Sequence, residues 1–189
     1  MVNRTEVKTH SIYMQAEAIE GLINEMVQAI KTRLDVQQVN DPVMVGIHTG
    51  GAWLAERLHE QLNIEEPLGT LDISFYRDDF TRIGINPEVK PSQIPFSVED
   101  RHIILVDDVV QTGRTIRAAM NELFDYGRPA SIMLATLVER GGRELPIQPG
   151  VVGVRPPLSA EQQITLTGPQ PLNLVIGNSK QDARDSEQD

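Results

Sequence analysis

The sequence predicts an α/β fold in which a mostly parallel sheet is flanked by helices. Apolar runs at residues 42–48, 103–106 and 130–138 are typical of strands that are buried on both faces of a parallel sheet. Segments that favour helix follow the first two runs, at residues 52–62 and 116–126. Strands that alternate with helices in this order indicate βαβ units and therefore a parallel sheet.

The composition narrows the functional classes. At 189 residues, the chain is expected to form a single domain over residues 1–177, followed by a polar tail at 178–189 that frays. The absence of cysteine excludes disulfides, thiolate catalysis and Cys-based zinc sites. No apolar run reaches about 18 residues, and residues 1–10 lack the apolar core of a signal peptide, so we expect a cytoplasmic protein without membrane association. The net charge of −10 argues against nonspecific binding of polyanions.

The first predicted element is an amphipathic helix over residues 12–34. Its apolar residues, which include Ile12, Ile19, Ile23 and Ile30, recur mostly at steps of three or four residues. Acidic side chains dominate the polar positions of its first turns. The helix is therefore expected to pack one face on the core and to expose an acidic face.

The strand predicted at 42–48 leads into a Gly-rich turn and then a helix. The turn consists of His48, Thr49, Gly50 and Gly51. Backbone N–H groups at a helix N-terminus attract anions, so this turn is a possible phosphate site. The signal is weak by itself, and His48 is open to a second interpretation as a buried histidine with satisfied hydrogen bonds.

Residues 68–77 alternate between apolar and polar side chains, which predicts a half-exposed strand. The connection over residues 78–100 contains Pro87, Pro91 and Pro95, mixed charge and little periodicity. Long connections without secondary structure inside a compact domain are often functional. We therefore predict that residues 79–97 form a mobile lid.

The chemistry is concentrated at the centre of the chain. The strand at 103–106 runs into Asp107 and Asp108, and the loop 112–115, Thr-Gly-Arg-Thr, then precedes a helix. This loop offers N–H groups, two hydroxyls and the positive end of a helix dipole to one anion. Two carboxylates would repel a phosphate unless they hold hydroxyls or a divalent cation on the same ligand, and a phosphorylated sugar meets both conditions. The alternative, a buried strand with an acidic helix cap, leaves the loop unexplained.

The C-terminal part is predicted to complete the sheet. The strand at 130–138 ends in residues 139–143, which should lie at the same rim as Asp107. Shorter strands are predicted at 151–155 and 163–166.

Residues 106–115, V-D-D-V-V-Q-T-G-R-T, resemble the phosphoribosyl pyrophosphate (PRPP) signature of type I phosphoribosyltransferases. The resemblance implies the fold of that family: a twisted, mostly parallel sheet flanked by helices, a small hood subdomain and a flexible catalytic loop. It also implies that Asp107 and Asp108 are catalytic, hold the ribose hydroxyls and bind Mg²⁺ directly or through water. The residues implied for the 5′-phosphate are Val110, Gln111, Thr112, Gly113, Arg114 and Thr115. The residues implied for pyrophosphate are His48, Thr49, Gly50, Gly51, Tyr76 and Arg77, of which Arg77 is also catalytic.

Three further segments point to one family among the type I phosphoribosyltransferases. They are F-Y-R-D-D at 75–79, Y-G-R-P-A-S at 126–131 and V-E-R-G-G-R-E-L-P-I at 138–147. Together they look like the family of bifunctional pyrimidine-operon regulators and uracil phosphoribosyltransferases (PyrR). Membership would imply that uracil and PRPP give UMP and pyrophosphate, and that the protein is a homodimer or a higher homo-oligomer. The residues implied for uracil are Val138, Arg140 and Val154.

Position 111 departs from the purine-using relatives of this superfamily, in which an acid accepts a proton. Gln111 cannot ionise, and this difference favours uracil over purines. When the bond at C1 breaks, positive charge grows on the ribose and negative charge on pyrophosphate. Magnesium, Arg77 and loop amides are therefore expected to stabilise the leaving group, while the acid pair holds the ribose.

Two other functions are left open. The resembled family uses a basic face to bind pyrimidine-leader messenger RNA, so the chain could be a nucleotide-responsive attenuation regulator. It could also be a nucleotide-binding module with a vestigial site, although the intact acid pair and loop disfavour this. A dinucleotide-dependent oxidoreductase is excluded because no G-x-G-x-x-G follows a predicted strand.

The face expected to meet RNA is depleted of positive charge. The first helix carries Glu20, Gly21 and Asn24 there, and Gly142 stands where the family usually has a histidine. Because Lys and Arg supply much of the affinity for RNA, we predict that leader RNA binds weakly or not at all. The arginines that could still contribute are Arg140, Arg143 and Arg155.

Overall fold

The computed structural model of the chain describes residues 11–73 and 91–178. In chain order, the described elements are β1 Ser11–Met14, α1 Ala16–Gln37, β2 Val43–Ile47, α2 Gly50–Leu62, β3 Gly69–Leu71, β4 His102–Val110, α3 Arg114–Tyr126, β5 Ser131–Glu139, β6 Val151–Val154, β7 Gln162–Thr167 and β8 Asn173–Asn178. No helix in these two ranges is long and apolar enough to span a bilayer.

Five of these strands form a parallel sheet in the order β3-β2-β4-β5-β6. The predicted α/β fold is therefore confirmed. The middle parts of the strands are mostly apolar because both faces of the sheet are covered. Ile23 of α1 and Leu54 of α2 belong to one core cluster, and Ile116 of α3 belongs to the other. The predicted boundaries of β2, β5, β6 and β7 agree with the structure to within one residue.

A second sheet is antiparallel, with the order β1-β8-β7, and corresponds to the predicted hood. Neither β1 nor β8 was predicted. The expected start of the first helix at Ile12 is wrong, because Ile12 lies in β1 and pairs with Val175 of β8. The partner of this strand is more than 160 residues away in the sequence, so no local pattern reveals the pairing. The domain boundary expected at residue 177 cuts β8, which ends at Asn178; residues 179–189 lie outside the described ranges.

The central strand is longer than expected. β4 continues through the acid pair to Val110, because its register with β5 pairs Asp107 with Thr136 and Val110 with Glu139. The acids therefore lie within the last part of the strand and not beyond its tip. Helix α3 also begins two residues earlier than predicted, at Arg114.

The structure describes the last part of the predicted lid, residues 91–97. Residues 74–90, and with them most of the expected lid, lie outside the described residues. Gln93 exchanges two backbone hydrogen bonds of 2.8 Å with Thr70. Ile94 and Phe96 pack against the second core cluster. Residues 91–97 are thus anchored to the sheet, and the rest of the predicted lid, residues 79–90, lies outside the described residues.

Candidate active site

A cavity of about 490 Å³ opens where the carboxyl end of β4 meets strand β7 of the hood. It is lined by Asp107, Asp108, Val109, Val110, Gln111, Thr112, Gly113, Arg114, Thr115, Ile116, Arg140, Gln163, Ile164 and Thr165. The cavity therefore brings together the acid pair, the complete loop predicted for the 5′-phosphate and Arg140. Sequence reasoning missed the hood residues Gln163, Ile164 and Thr165, which carry no motif and reach the cavity only through the antiparallel sheet.

The acid pair is more enclosed than the sequence suggested. Asp107 is only 2% exposed, and its Oδ1 accepts a hydrogen bond of 3.1 Å from the backbone N–H of Asp108. Thr136, on the neighbouring strand, is fully buried, and its hydroxyl lies within hydrogen-bonding distance of the backbone carbonyls of Val138, at 3.1 Å, and Asp108, at 3.3 Å. These contacts fix the backbone that carries both carboxylates.

The turn predicted for pyrophosphate lies against the acid pair. A Cβ at position 51 would lie 2.7 Å from the carbonyl oxygen of Val106 and 2.9 Å from Cα of Asp107. The N–H of His48 donates to the carbonyl of Leu71 at 2.8 Å, which ties the turn to β3. The peptide bond between His48 and Thr49 is cis. The two loops that the sequence assigned to phosphates therefore border the same pair of acids.

In the loop predicted for the 5′-phosphate, backbone carbonyls accept hydrogen bonds from other parts of the protein. The carbonyl of Val110 accepts from Arg140 N at 3.0 Å, and that of Thr112 accepts from Glu144 N and Leu145 N at 3.0 and 3.1 Å. Gly113, with φ at +91°, turns the chain into α3. This is the left-handed region that glycine adopts most readily. The loop thus presents N–H groups and hydroxyls at the N-terminal end of a helix, where an anion is favoured.

Arg140 contributes a buried cation to the cavity wall. Its residue exposure is 9%, and burial lowers the pKa of the guanidinium from its ordinary value. Arginine nevertheless remains protonated in proteins. Its Nε has no hydrogen-bond partner among the described residues. A buried donor without a partner is unfavourable, so this side chain suits a ligand that supplies an acceptor.

The other residues predicted for uracil are not brought to the cavity. Val138 is fully buried in the core cluster that includes Ile23 and Leu54, and Val154 packs against the same cluster. Tyr76 and Arg77 lie outside the described residues. Of the three residues named for uracil, the cavity contains Arg140.

The acid pair has a donor set that fits Mg²⁺. Among the described residues, no group of three or more His, Asp or Glu side chains is placed to hold a metal ion. Magnesium commonly takes one or two carboxylates and completes its shell with water and substrate phosphates. Asp107 and Asp108 supply two carboxylates beside a predicted phosphate site, which matches this mode of binding.

Comparisons with known proteins identify the family of the chain. A family model described as the phosphoribosyl transferase domain matches residues 11–170. A bifunctional protein PyrR from Nitrosococcus oceani is 59% identical over 160 residues, which are 84% of this chain and 90% of that protein. Another from Pseudomonas paraeruginosa is 54% identical over 153 residues, 81% of this chain and 90% of that protein.

Solved structures show the same fold at lower identity. Hypoxanthine phosphoribosyl transferase from Trypanosoma cruzi aligns with a TM-score of 0.69 at 20% identity, over 98% of this chain and 100% of the other. The Staphylococcus aureus enzyme aligns with a TM-score of 0.59 at 21% identity, over 78% and 77%. The predicted type I phosphoribosyltransferase fold is thereby confirmed. With more than half of the aligned residues identical to those of the two PyrR relatives, the chain belongs to the phosphoribosyltransferase family and, within it, to the bifunctional PyrR proteins.

Proposed function

We propose that this protein transfers ribose 5-phosphate from PRPP to uracil and releases pyrophosphate, forming UMP. The observation that carries this proposal is the cavity in which an acid pair, a phosphate loop and a buried arginine meet. A substrate without phosphate would leave the loop without a role. A phosphorylated sugar together with a base uses all three.

Each part of PRPP has a matching part of the site. The 5′-phosphate is assigned to the loop from Val110 to Thr115, whose carbonyls from Val110 to Gly113 accept hydrogen bonds from the protein. The ribose hydroxyls are assigned to the carboxylates of Asp107 and Asp108. Pyrophosphate is assigned to the turn from His48 to Gly51, which borders the acid pair. Tyr76 and Arg77 are proposed to reach the same group.

The chemistry rests on electrostatics and positioning. As the C1 bond weakens, positive charge develops on the ribose, and the two carboxylates held beside it stabilise that charge. The loop N–H groups hold the 5′-phosphate in place, so the sugar keeps its alignment between the base and the leaving group. A magnesium ion held by Asp107 and Asp108, directly or through water, would supply Lewis acidity toward the pyrophosphate oxygens.

Recognition of the base is assigned to Arg140. Its guanidinium is a fixed donor that can meet a carbonyl oxygen of uracil, and uracil would satisfy the buried Nε. Gln111 lines the same cavity and carries no charge to accept a proton from a purine. This combination favours uracil over hypoxanthine and guanine.

The proposal is tested by measuring nucleotide formation from PRPP and magnesium with uracil, hypoxanthine or guanine as the acceptor. We expect UMP as the main product. The kcat/KM for uracil should exceed that for either purine at least about 100-fold, because a purine would lose a polar contact and would find no proton acceptor at position 111. Equal turnover of hypoxanthine, or no product with uracil, would overturn it.

We further propose that leader RNA binds weakly. Two rim arginines that could meet RNA are engaged with Glu139: Arg143 at 2.7 Å and Arg155 at 2.8 Å. On α1, Glu20 pairs with Arg57 at 3.5 Å, and Gly21 bears no charge. Within the described part of the chain, these two surfaces thus offer few unpaired cations to neutralise phosphates. The homo-oligomeric assembly expected from the family stays a prediction.

A further inference from the structure

The conformation of the phosphate loop depends on hydrogen bonds from residues 140–145, which follow β5, and from α3. Four consecutive loop carbonyls, from Val110 to Gly113, each accept a hydrogen bond from the protein. Backbone N–H groups bind three of them: those of Arg140, of Glu144 with Leu145, and of Arg117 in α3. The fourth carbonyl, that of Gln111, is bound by a side chain.

That side chain is Arg143, whose Nη1 donates to the carbonyl of Gln111 at 2.8 Å. Its Nη2 donates to Oε1 of Glu139 at 2.7 Å, and both side chains are only about one-fifth exposed. Oε2 of Glu139 accepts from Nε of Arg155 at 2.8 Å. Glu139 is itself fixed, as the last residue of β5 paired with Val110.

The direction of a carbonyl decides what its loop can bind. A carbonyl oxygen turned into the cavity would repel an anion, whereas a carbonyl held outward leaves the N–H groups facing the ligand. Gln111 lies in the middle of the loop, and its carbonyl receives no backbone hydrogen bond among the described contacts. Its orientation therefore depends on the charge-assisted bond from Arg143, which is stronger than a neutral one.

We infer that Arg143 is a positioning residue for the 5′-phosphate loop and that Glu139 holds it in place. The inference rests on the proposed function, since it assumes that this loop takes the 5′-phosphate of PRPP and UMP. Arg143 itself does not line the cavity. It acts through the Gln111 peptide, so its loss is expected to weaken ligands that carry a 5′-phosphate and to spare those that do not.

The chain provides a matched control. Arg155 pairs with the other oxygen of the same carboxylate, is 66% exposed, and makes no bond to the loop among the described contacts. Arg143→Ala and Arg155→Ala thus each remove one arginine from Glu139, but only the first releases the Gln111 carbonyl. Arg143→Met is a second variant that keeps the apolar stem and its packing if the alanine variant folds poorly.

The test compares the dissociation constants of UMP and of pyrophosphate with magnesium, by calorimetry, and the KM for PRPP. We expect Arg143→Ala and Arg143→Met to weaken UMP binding about tenfold to a hundredfold, the range for a hydrogen bond to a charged group. Pyrophosphate affinity should stay within about twofold of the wild type, and Arg155→Ala should resemble the wild type for both ligands.

Four outcomes are decisive. A selective loss of UMP affinity in both Arg143 variants supports the inference. Unchanged UMP affinity, or equal losses for UMP and pyrophosphate, overturns it, because the second pattern is that of general damage to the fold. Wild-type protein that makes no UMP from uracil and PRPP would instead overturn the proposed function, so the two failures are distinguishable.

Discussion

Gly50 lies directly against the side chain of Asp108: a Cβ at position 50 would be 2.5 Å from Oδ2 and 2.6 Å from Cγ of that aspartate. The turn predicted for pyrophosphate and the acid pair are therefore packed without room for a methyl group. We predict that Gly50→Ala displaces the Asp108 carboxylate and lowers kcat/KM by about 100-fold, as expected when a catalytic group moves by an ångström. Steady-state kinetics with PRPP and uracil measures this loss.

Gly51→Ala is the contrasting variant. The methyl group would meet the backbone of β4, at Val106 and Asp107, instead of a side chain that can rotate. We expect the free energy of unfolding to fall by about 1–3 kcal/mol, the scale of overpacking, whereas Gly50→Ala should cost less. Chemical denaturation of both variants gives the comparison. The same stability loss in both, with the same activity, would contradict this account of the two glycines.

The second prediction concerns the acid pair. Asp107→Asn and Asp108→Asn should each reduce kcat at least about 100-fold, because the charge that faces the ribose is lost. The amide side chain introduced by Asp107→Asn retains an oxygen that can accept the N–H of Asp108, so this variant should fold. Asp107→Ala removes that acceptor from a site that is 2% exposed, and we expect it to lower the free energy of unfolding by about 1–3 kcal/mol.

The control for the acid pair is Asp125→Asn, on the exposed surface of α3. It should have wild-type kinetics and stability. If either Asp107→Asn or Asp108→Asn kept wild-type turnover, the assignment of the pair to ribose and magnesium would be wrong.

The sequence predicted the parts of this molecule that are encoded locally. The strand that enters Asp107 and the loop around Gly113 combine apolar runs, acids and glycine within about a dozen consecutive residues, so pattern and chemistry coincide. Of the three hood strands, β7 was predicted but β1 and β8 were not, because these two pair across the length of the chain and Ile12 fits a helical period equally well. The same long-range pairing brings Gln163 and Thr165 to the cavity.

Burial was the other quantity that the sequence did not determine. Asp107 was expected at an open rim, but the register of β4 with β5 carries it inside the sheet beside Thr136. Val138 was assigned to uracil by resemblance, yet it is fully buried in the core cluster that contains Ile23 and Leu54. A residue's face on a strand follows from its register, and register is set by tertiary packing.

The third prediction concerns Arg140. Its buried guanidinium has an Nε without a partner among the described residues, which is unfavourable for the folded protein before ligand binds. Arg140→Met should therefore raise the free energy of unfolding by about 1 kcal/mol, as replacement of buried charge by apolar side chains often does. It should also raise the KM for uracil about tenfold or more.

Arg155→Met is the matched control for Arg140→Met, because Arg155 is exposed and lies outside the cavity. It should change neither the free energy of unfolding nor the KM for uracil. A loss of stability in Arg140→Met without a change in the KM for uracil would show that Arg140 supports the fold and does not meet the base.

The last prediction tests the RNA surface on α1. Gly21 is exposed in this helix, and a Cβ there meets nothing within 4 Å. Gly21→Ala should therefore stabilise the protein by about 0.5–1 kcal/mol, since alanine favours helix over glycine. Gly142 is unsuitable for the same test, because its φ of +99° disfavours any side chain and a Cβ would lie 3.3 Å from Gln111.

Charge is then added on the same face with Gly21→Lys and Asn24→Lys, three residues apart on one side of the helix. In a gel shift with a pyrimidine-leader hairpin at physiological salt, we expect weak binding by the wild type and by Gly21→Ala. The double lysine variant should bind more tightly and with a steeper salt dependence, by about 0.7–0.9 in log–log slope for each phosphate neutralised. Uracil turnover should not change, because α1 does not line the cavity. Tight binding by the wild type, enhanced by UMP, would refute the prediction and indicate that arginines such as Arg155 exchange Glu139 for RNA phosphates.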